Sequence, residues 1–182
     1  MPLVRRFDTA RLRPIDPGRV SARTCARTEA LVAACRLGSG PGNTHWTTPG
    51  GPVRLEMPFG CYAIDDAGIA RRAALQLDGT WRMRDASTAG RLAIRAGALR
   101  ADVAWWRALR PADPWDAGEA VDADSLGGFE PRRTTLVVVT FAADEKLARA
   151  LASLERRAAG WRRAVRVLLV GALAGWARHL GI

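Results

Sequence analysis

The residues of this chain that could do chemistry are few and far apart in the sequence. Asp65 and Asp66 are adjacent, so a strand would direct them to opposite faces, and the sequence DDAG is typical of a turn. His45 and Cys61 could form a nucleophilic pair only through a close approach that their spacing does not indicate. His179 lies near a predicted helix C-terminus, where the helix dipole explains it. We therefore expect a protein that is not an enzyme, with no catalytic residues, cofactor, metal or small-molecule substrate.

A glycine-rich segment, GSGPGNTHWTTPGGP at 38–52, invites comparison with a phosphate-binding loop. Two features argue against that interpretation. Pro41 removes one of the backbone N–H groups that such a loop must donate. The segment also follows a predicted helix, whereas a phosphate-binding loop of this kind follows a strand. We expect an ordinary loop, in which Trp46 could cover the core or contact a partner.

The three cysteines indicate a compartment rather than a site. Cys25, Cys35 and Cys61 are odd in number and show no paired spacing, so they predict neither a disulfide framework nor a zinc site. The basic N-terminus is not followed by an apolar region, and no stretch reaches about 18 apolar residues. We therefore expect reduced thiols in a cytoplasmic protein, or in part of an intracellularly assembled particle, with no signal peptide and no transmembrane span.

Charge is the most unusual property of the composition. The 182 residues carry a formal net charge of +10, which favours nucleic acid, an anionic membrane surface or an acidic protein as a partner. Lys146 is the only lysine, a bias that a GC-rich genome also produces. The acidic segment 111–131 is predicted to be a solvated loop, or to fold back as an internal counter-charge. The residues assigned to an anionic partner are Arg19, Arg23, Arg27, Arg162, Arg163, Arg166 and Arg178.

Several tryptophans stand beside arginines, as in the pairs Trp81-Arg82 and Trp176-Ala177-Arg178. On nucleic acid, such pairs would stack on bases and neutralise phosphates. At a membrane, they would suit the interface between water and lipid. They also fit a protein whose tryptophans fill the core while its arginines cover the rim of that core.

The elements that must position these residues are predicted from hydrophobic periodicity. A helix is expected over 19–37, ending before a glycine. Between 53 and 107 the period is two, and Asp78-Gly79 separates two alternating runs as in a tight hairpin. The residues at 98–109 are the exception, because they could form a helix instead of a strand. The run TTLVVVTF at 134–141 predicts a central strand buried on both faces. The predicted fold class is α+β, an antiparallel meander of four to six strands with an N-terminal helix and a long C-terminal helix.

The C-terminal segment carries an apolar seam with alternating spacings of four and three residues. The seam passes through Gly160 without losing phase and predicts one long helix over 143–179, with a kink at Gly160 as the alternative. Such a helix would extend beyond the sheet, so we divide the chain into residues 1–142 and a docking helix within 143–182. The residues predicted to contact a partner are Leu154, Trp161, Val165, Leu168, Ala172 and Trp176.

These features favour a non-catalytic structural or adaptor subunit of a larger assembly. It would bind a protein partner, or a second copy of itself, through the C-terminal amphipathic helix, and its basic faces would contact an anionic neighbour. The first alternative is a nucleic-acid-binding protein that uses its arginine and tryptophan faces. The second is a peripheral membrane protein attached by residues 161–180.

Overall fold

The computed structural model of the protein describes residues 11–20, 26–37, 59–103, 113–141, 144–158, 160–161 and 163–171. These residues form strands, helices and one 3-10 turn, at Pro17–Arg19. The strands are β1 (Leu12–Pro14), β2 (Phe59–Ile64), β3 (Asp116–Ala120), β4 (Thr135–Val139) and β5 (Val165–Val170). The helices are α1 (Ala26–Leu37), α2 (Ala67–Leu77), α3 (Gly79–Asp85), α4 (Thr88–Val103), α5 (Ala123–Gly127) and α6 (Glu145–Ala158).

The strands form one mixed sheet in the order β1-β3-β4-β5-β2. Strands β3, β4, β5 and β2 are parallel, and β1 runs antiparallel to β3. Parallel neighbours require crossover connections, and helices accordingly separate these strands along the chain. The predicted antiparallel meander is therefore wrong. The fold is α+β with a mostly parallel sheet, in which β5 lies between β4 and β2.

Both faces of the sheet are buried. Leu136 and Val138 of β4 point to the face covered by α1 and α2, where they contact one hydrophobic cluster. Val137 and Val139 point to the face covered by α5 and α6, where they contact a second cluster. All five residues of β4 are buried, so the prediction of a central strand within 134–141 is confirmed.

Helix α6 covers one face and ends well before the predicted long helix. Its start is confirmed, because the Asp144 carboxylate accepts a hydrogen bond from the Leu147 N–H at 2.8 Å. The chain then turns at Gly160, whose N–H donates to the Arg157 carbonyl at 3.0 Å. Residues Val165–Val170 form a strand, so a single helix over 143–179 is wrong. A short aliphatic run satisfies helical and strand spacing alike, and here the two neighbouring strands of the sheet select the strand.

The predicted hairpin at Asp78-Gly79 is a junction between two helices. The Asp78 N–H donates to the Ala74 carbonyl at the end of α2, and the Asp78 carboxylate accepts from the Thr80 N–H at the start of α3. The buried positions of α2 include Ala70, Ala73 and Leu77, which share one helical face. This face consists mainly of alanines, which contribute little to a hydropathy pattern. The alternating apolar and polar residues next to it therefore led to the wrong prediction of strands.

The acidic segment is part of the sheet rather than a solvated loop. Its residues form β3 and α5, and the Asp122 carboxylate caps α5 by accepting from the Ser125 N–H at 2.6 Å. Asp113 and Asp116 are buried and lie beside arginines. The alternative of an internal counter-charge therefore describes these two residues correctly.

Candidate functional site

The arginines assigned to an anionic partner lie in different environments. Arg163 and Arg166 are buried, with 6% and 0% of their surface exposed, and so do not form a solvent-facing basic surface. Burial lowers the pKa of the Arg166 guanidinium, and the nearby Tyr62 and Cys35 oppose that effect. Arg27 is exposed on α1, and Arg19 ends the 3-10 turn. Arg23, Arg162 and Arg178 lie outside the described residues.

The predicted docking residues lie mainly in the core. Leu154, Val165 and Leu168 are fully buried, the first on α6 and the other two on opposite faces of β5. Trp161 is partly buried against the same cluster as Leu154, with the Arg157 guanidinium 5.6 Å from its ring centroid. Ala172 and Trp176 lie outside the described residues. A continuous docking face on a long C-terminal helix is therefore excluded by the fold.

The candidate chemical residues do not form a site in the described part of the chain. Asp66 caps α2 by accepting from the Gly68 and Ile69 N–H groups at 2.7 and 3.2 Å, while Asp65 is exposed. Burial raises the pKa of the Cys61 thiol to about 12, which suppresses its nucleophilic thiolate form. Within the described ranges, no group of His, Cys, Asp and Glu side chains is arranged to hold a metal ion. His45 and His179 lie outside those ranges.

The carboxyl edge of a parallel sheet is the usual place for a ligand site. Here Glu119 near the end of β3 accepts two hydrogen bonds from Arg71 of α2, at 3.0 and 3.3 Å. The Thr140 hydroxyl, just after β4, donates to the same carboxylate. These three side chains satisfy one another across the edge, so we assign them a structural role.

The opposite, amino edge holds a group of mutually paired charges that we call the aspartate–arginine cluster. Its members are Arg100, Asp102, Asp113, Asp116 and Arg133. Arg133, only 2% exposed in its side chain, bridges Asp102 at 2.8 Å and Asp116 at 3.2 Å. Arg100 of α4 pairs with Asp113. Pairing by several charge-assisted hydrogen bonds makes this cluster a structural clamp between α4 and the sheet.

Helix α4 presents an apolar face to solvent. Among the described residues, the large hydrophobic side chains that are exposed are Leu92, Leu99 and Val103, at 61%, 65% and 59%. Ala96 is also exposed, and the four positions are spaced four, three and four residues apart. They therefore lie along one narrow line on the helix surface, which we call the α4 stripe.

The inner side of α4 is held firmly, which fixes the direction of the stripe. Ala98 is buried, and a side chain at Gly97 would come within 3.2 Å of Pro114. The aspartate–arginine cluster anchors the C-terminal half of the helix through Arg100 and Asp102. At the other end, the Ser87 hydroxyl accepts from the Gly90 N–H at 3.2 Å as a cap.

The exposed border of the α4 stripe is basic. Arg91 and Arg95 are exposed on the same helix, and Arg84 is exposed at the end of α3. The Arg91 guanidinium donates to the carbonyls of Ala86 and Arg84 at 3.0 and 3.2 Å, which holds its charge at the start of α4. An aliphatic stripe with a cationic border is the complement of an acidic amphipathic helix.

The sequence contained a signal for this surface. The apolar residues on this face of α4 repeat at helical spacing: Leu92, Ala96, Leu99 and Val103. The prediction of alternating strands in this region obscured that helical repeat.

None of the helices that the structure describes is both long and apolar enough to cross a membrane. Comparison with protein-family models, curated proteins and solved structures finds no match to this chain.

Proposed function

We propose that the protein is a non-catalytic docking subunit that binds an acidic amphipathic helix of a partner protein on the α4 stripe. The observation that carries the proposal is the alignment of the exposed large hydrophobic side chains of the described residues on one line of one helix. Single exposed leucines are common on protein surfaces, whereas a contiguous apolar surface is typical of an interaction site.

The free energy available from covering the stripe is sufficient for a reversible complex. Full burial of a leucine or valine contributes roughly 1.5–3 kcal/mol. Leu92, Leu99 and Val103 each have about three fifths of their surface left to bury. Docking would therefore contribute about 3–5 kcal/mol from these side chains before the costs of association. Interactions with the basic border would add specificity.

Charge favours an acidic partner over a second copy of this chain. Two copies packed through their stripes would bring Arg91 and Arg95 of one copy toward the arginines of the other. Like charges at an interface disfavour association, whereas glutamates on a partner helix would form favourable pairs. Helix α4 carries no aromatic residue on which a nucleic-acid base could stack, which makes a protein the better occupant. The free, buried thiols of Cys35 and Cys61 support an intracellular location for this complex.

Fluorescence anisotropy with synthetic helical peptides tests the proposal. One peptide has leucines at heptad positions a and d with glutamates elsewhere, a second replaces the glutamates with lysines, and a third is a scramble of the first. We expect only the acidic amphipathic peptide to bind. The double variant Leu92→Gln, Leu99→Gln should weaken binding at least about tenfold, because it removes the main apolar contacts.

The matched control is Ala152→Gln, an exposed position of α6 on the opposite face of the sheet, which should bind like the parent protein. Equal binding of the scrambled peptide would mean simple charge attraction and would overturn the proposal. So would self-association that disappears in the double variant, measured by sizing with light scattering. Flotation with anionic vesicles that needs Leu92 and Leu99 would assign the stripe to a membrane instead.

A further inference from the structure

The α4 stripe is not evenly filled along its length. Leu92 and Leu99 are two turns apart, about 10 Å along the helix axis at 1.5 Å per residue. The residue of the stripe between them is Ala96, an exposed position whose side chain is a single methyl group. The line of large apolar side chains is therefore interrupted at this point, which we call the Ala96 gap.

The residues around the Ala96 gap have the spacing of a knobs-into-holes contact. In such a contact, a side chain of one helix packs into the space between four residues of another, at positions i, i+3, i+4 and i+7. On α4 these positions are Leu92, Arg95, Ala96 and Leu99, and all four are exposed. The two leucines close the ends of the space and Arg95 closes one side. The short Ala96 leaves the other side open to a large side chain.

The next space along α4 is a poorer match to an acidic partner. It is bounded by Ala96, Leu99, Arg100 and Val103. The Arg100 side chain is only 24% exposed and pairs with Asp113 in the aspartate–arginine cluster. Arg95 is exposed beside the first space, where a partner can reach its charge. Apolar walls and an accessible positive charge therefore coincide at the Ala96 gap.

The backbone under the gap is fixed before any partner binds. Ala98 on the inner side of the helix is buried, and a methyl group at Gly97 would come within 3.2 Å of Pro114. The helix therefore has no room to move inward, and the depth of the gap is set by the size of residue 96. A site that is already formed costs little ordering free energy when it binds.

We infer that the Ala96 gap holds one large apolar side chain of the partner helix, of leucine size, and that an acidic residue of the same helix lies beside Arg95. The inference rests on the proposed docking function and names the contact that selects the partner. Filling the gap would bury the facing sides of Leu92 and Leu99 at the centre of the stripe, where binding energy is usually concentrated. A partner with a small residue at this place would leave the gap empty and bind more weakly.

A size exchange between the protein and the acidic amphipathic peptide tests the inference by fluorescence anisotropy. The leucines of the peptide are replaced by alanine one at a time. With the parent protein, we expect one replacement to weaken binding more than the others, by at least about tenfold. Ala96→Leu fills the gap and should weaken binding of the unmodified peptide by at least about tenfold. The most damaging alanine peptide should then bind this variant more tightly than the unmodified peptide does, which reverses the order seen with the parent protein.

The matched control is Ala152→Leu, the same exchange at an exposed position of α6. It should keep the affinities and the peptide order of the parent protein. Alanine and leucine are both strong helix formers, so neither exchange should disturb its helix. For the charged contact, the glutamates next to the sensitive leucine are replaced by glutamine. This should weaken binding to the parent protein and have no effect on Arg95→Gln.

The outcomes separate this inference from the docking proposal. Unchanged or tighter binding of the unmodified peptide to Ala96→Leu would mean that the stripe is a flat apolar surface, which overturns the inference and leaves docking in place. A peptide order that is the same on Ala96→Leu as on the parent protein would overturn it as well. An equal effect of the glutamine exchange on Arg95→Gln would remove Arg95 from the contact. If the acidic peptide does not bind the parent protein, both proposals fail together.

Discussion

The two sides of helix α4 differ in what they contact. On one side is the aspartate–arginine cluster, in which Arg133 lies between Asp102 and Asp116, so each charge has a counter-charge. On the other side is the α4 stripe, where Leu92, Leu99 and Val103 are exposed at 61%, 65% and 59%. The cluster joins the helix to the sheet and supports the fold. The stripe leaves apolar surface in contact with water, which is the basis of the docking proposal.

The largest expected effect comes from removing the central arginine of the aspartate–arginine cluster. Arg133→Met leaves Asp116, which is 1% exposed, without its arginine, and should lower the free energy of unfolding by about 3–5 kcal/mol. Urea denaturation measures this loss. Arg132→Met changes the exposed neighbouring residue and should alter the stability by less than about 0.5 kcal/mol. Equal stability of the two variants would contradict the structural role of the cluster.

The two buried thiols lie on opposite faces of the sheet, Cys35 on one and Cys61 on the other, and both should make the stability of the protein depend on pH in the alkaline range. Burial is the main reason that the pKa values of Cys35 and Cys61 rise from 9.0 to about 12. The charge of Arg166 opposes the rise at Cys35, whereas the charge of Glu155 adds to it at Cys61. Because the folded-state pKa exceeds the unfolded one, the stabilising effect is complete below pH 9 and is lost as the pH rises toward 12. Each thiol should therefore reduce stability by about 1.4 kcal/mol between pH 8 and pH 10.

Urea denaturation of Cys35→Ala and Cys61→Ala at both pH values measures these contributions. Each variant should lose less stability on going to pH 10 than the parent protein does. Cys25 is present in all three proteins, so any contribution from it cancels in the comparison. A pH response unchanged in either variant would mean that the thiol in question is not protected from solvent.

The sequence predicted the elements whose signal is both local and strongly apolar. Strand β4 followed from TTLVVVTF, and the start of α6 from Asp144 and the apolar residues Leu147, Leu151 and Leu154. It misassigned the elements whose pattern is ambiguous over a few residues. Helix α2 buries mainly alanines, and β5 continued the helical spacing of α6 by coincidence. Neither ambiguity could be resolved without the neighbouring strands.

The candidate sites depended on the tertiary structure for a related reason. By itself, the sequence determined a net charge of +10, an arginine-rich composition and a helical repeat from Leu92 to Val103. The fold decided which arginines meet a carboxylate: Arg133 and Asp102, which pair in the structure, are 31 residues apart in the sequence. It also decided that the repeat of α4 faces water while that of α6 is buried. Periodicity is set by residues close in sequence, whereas burial and charge pairing are set by residues brought together from far along the chain.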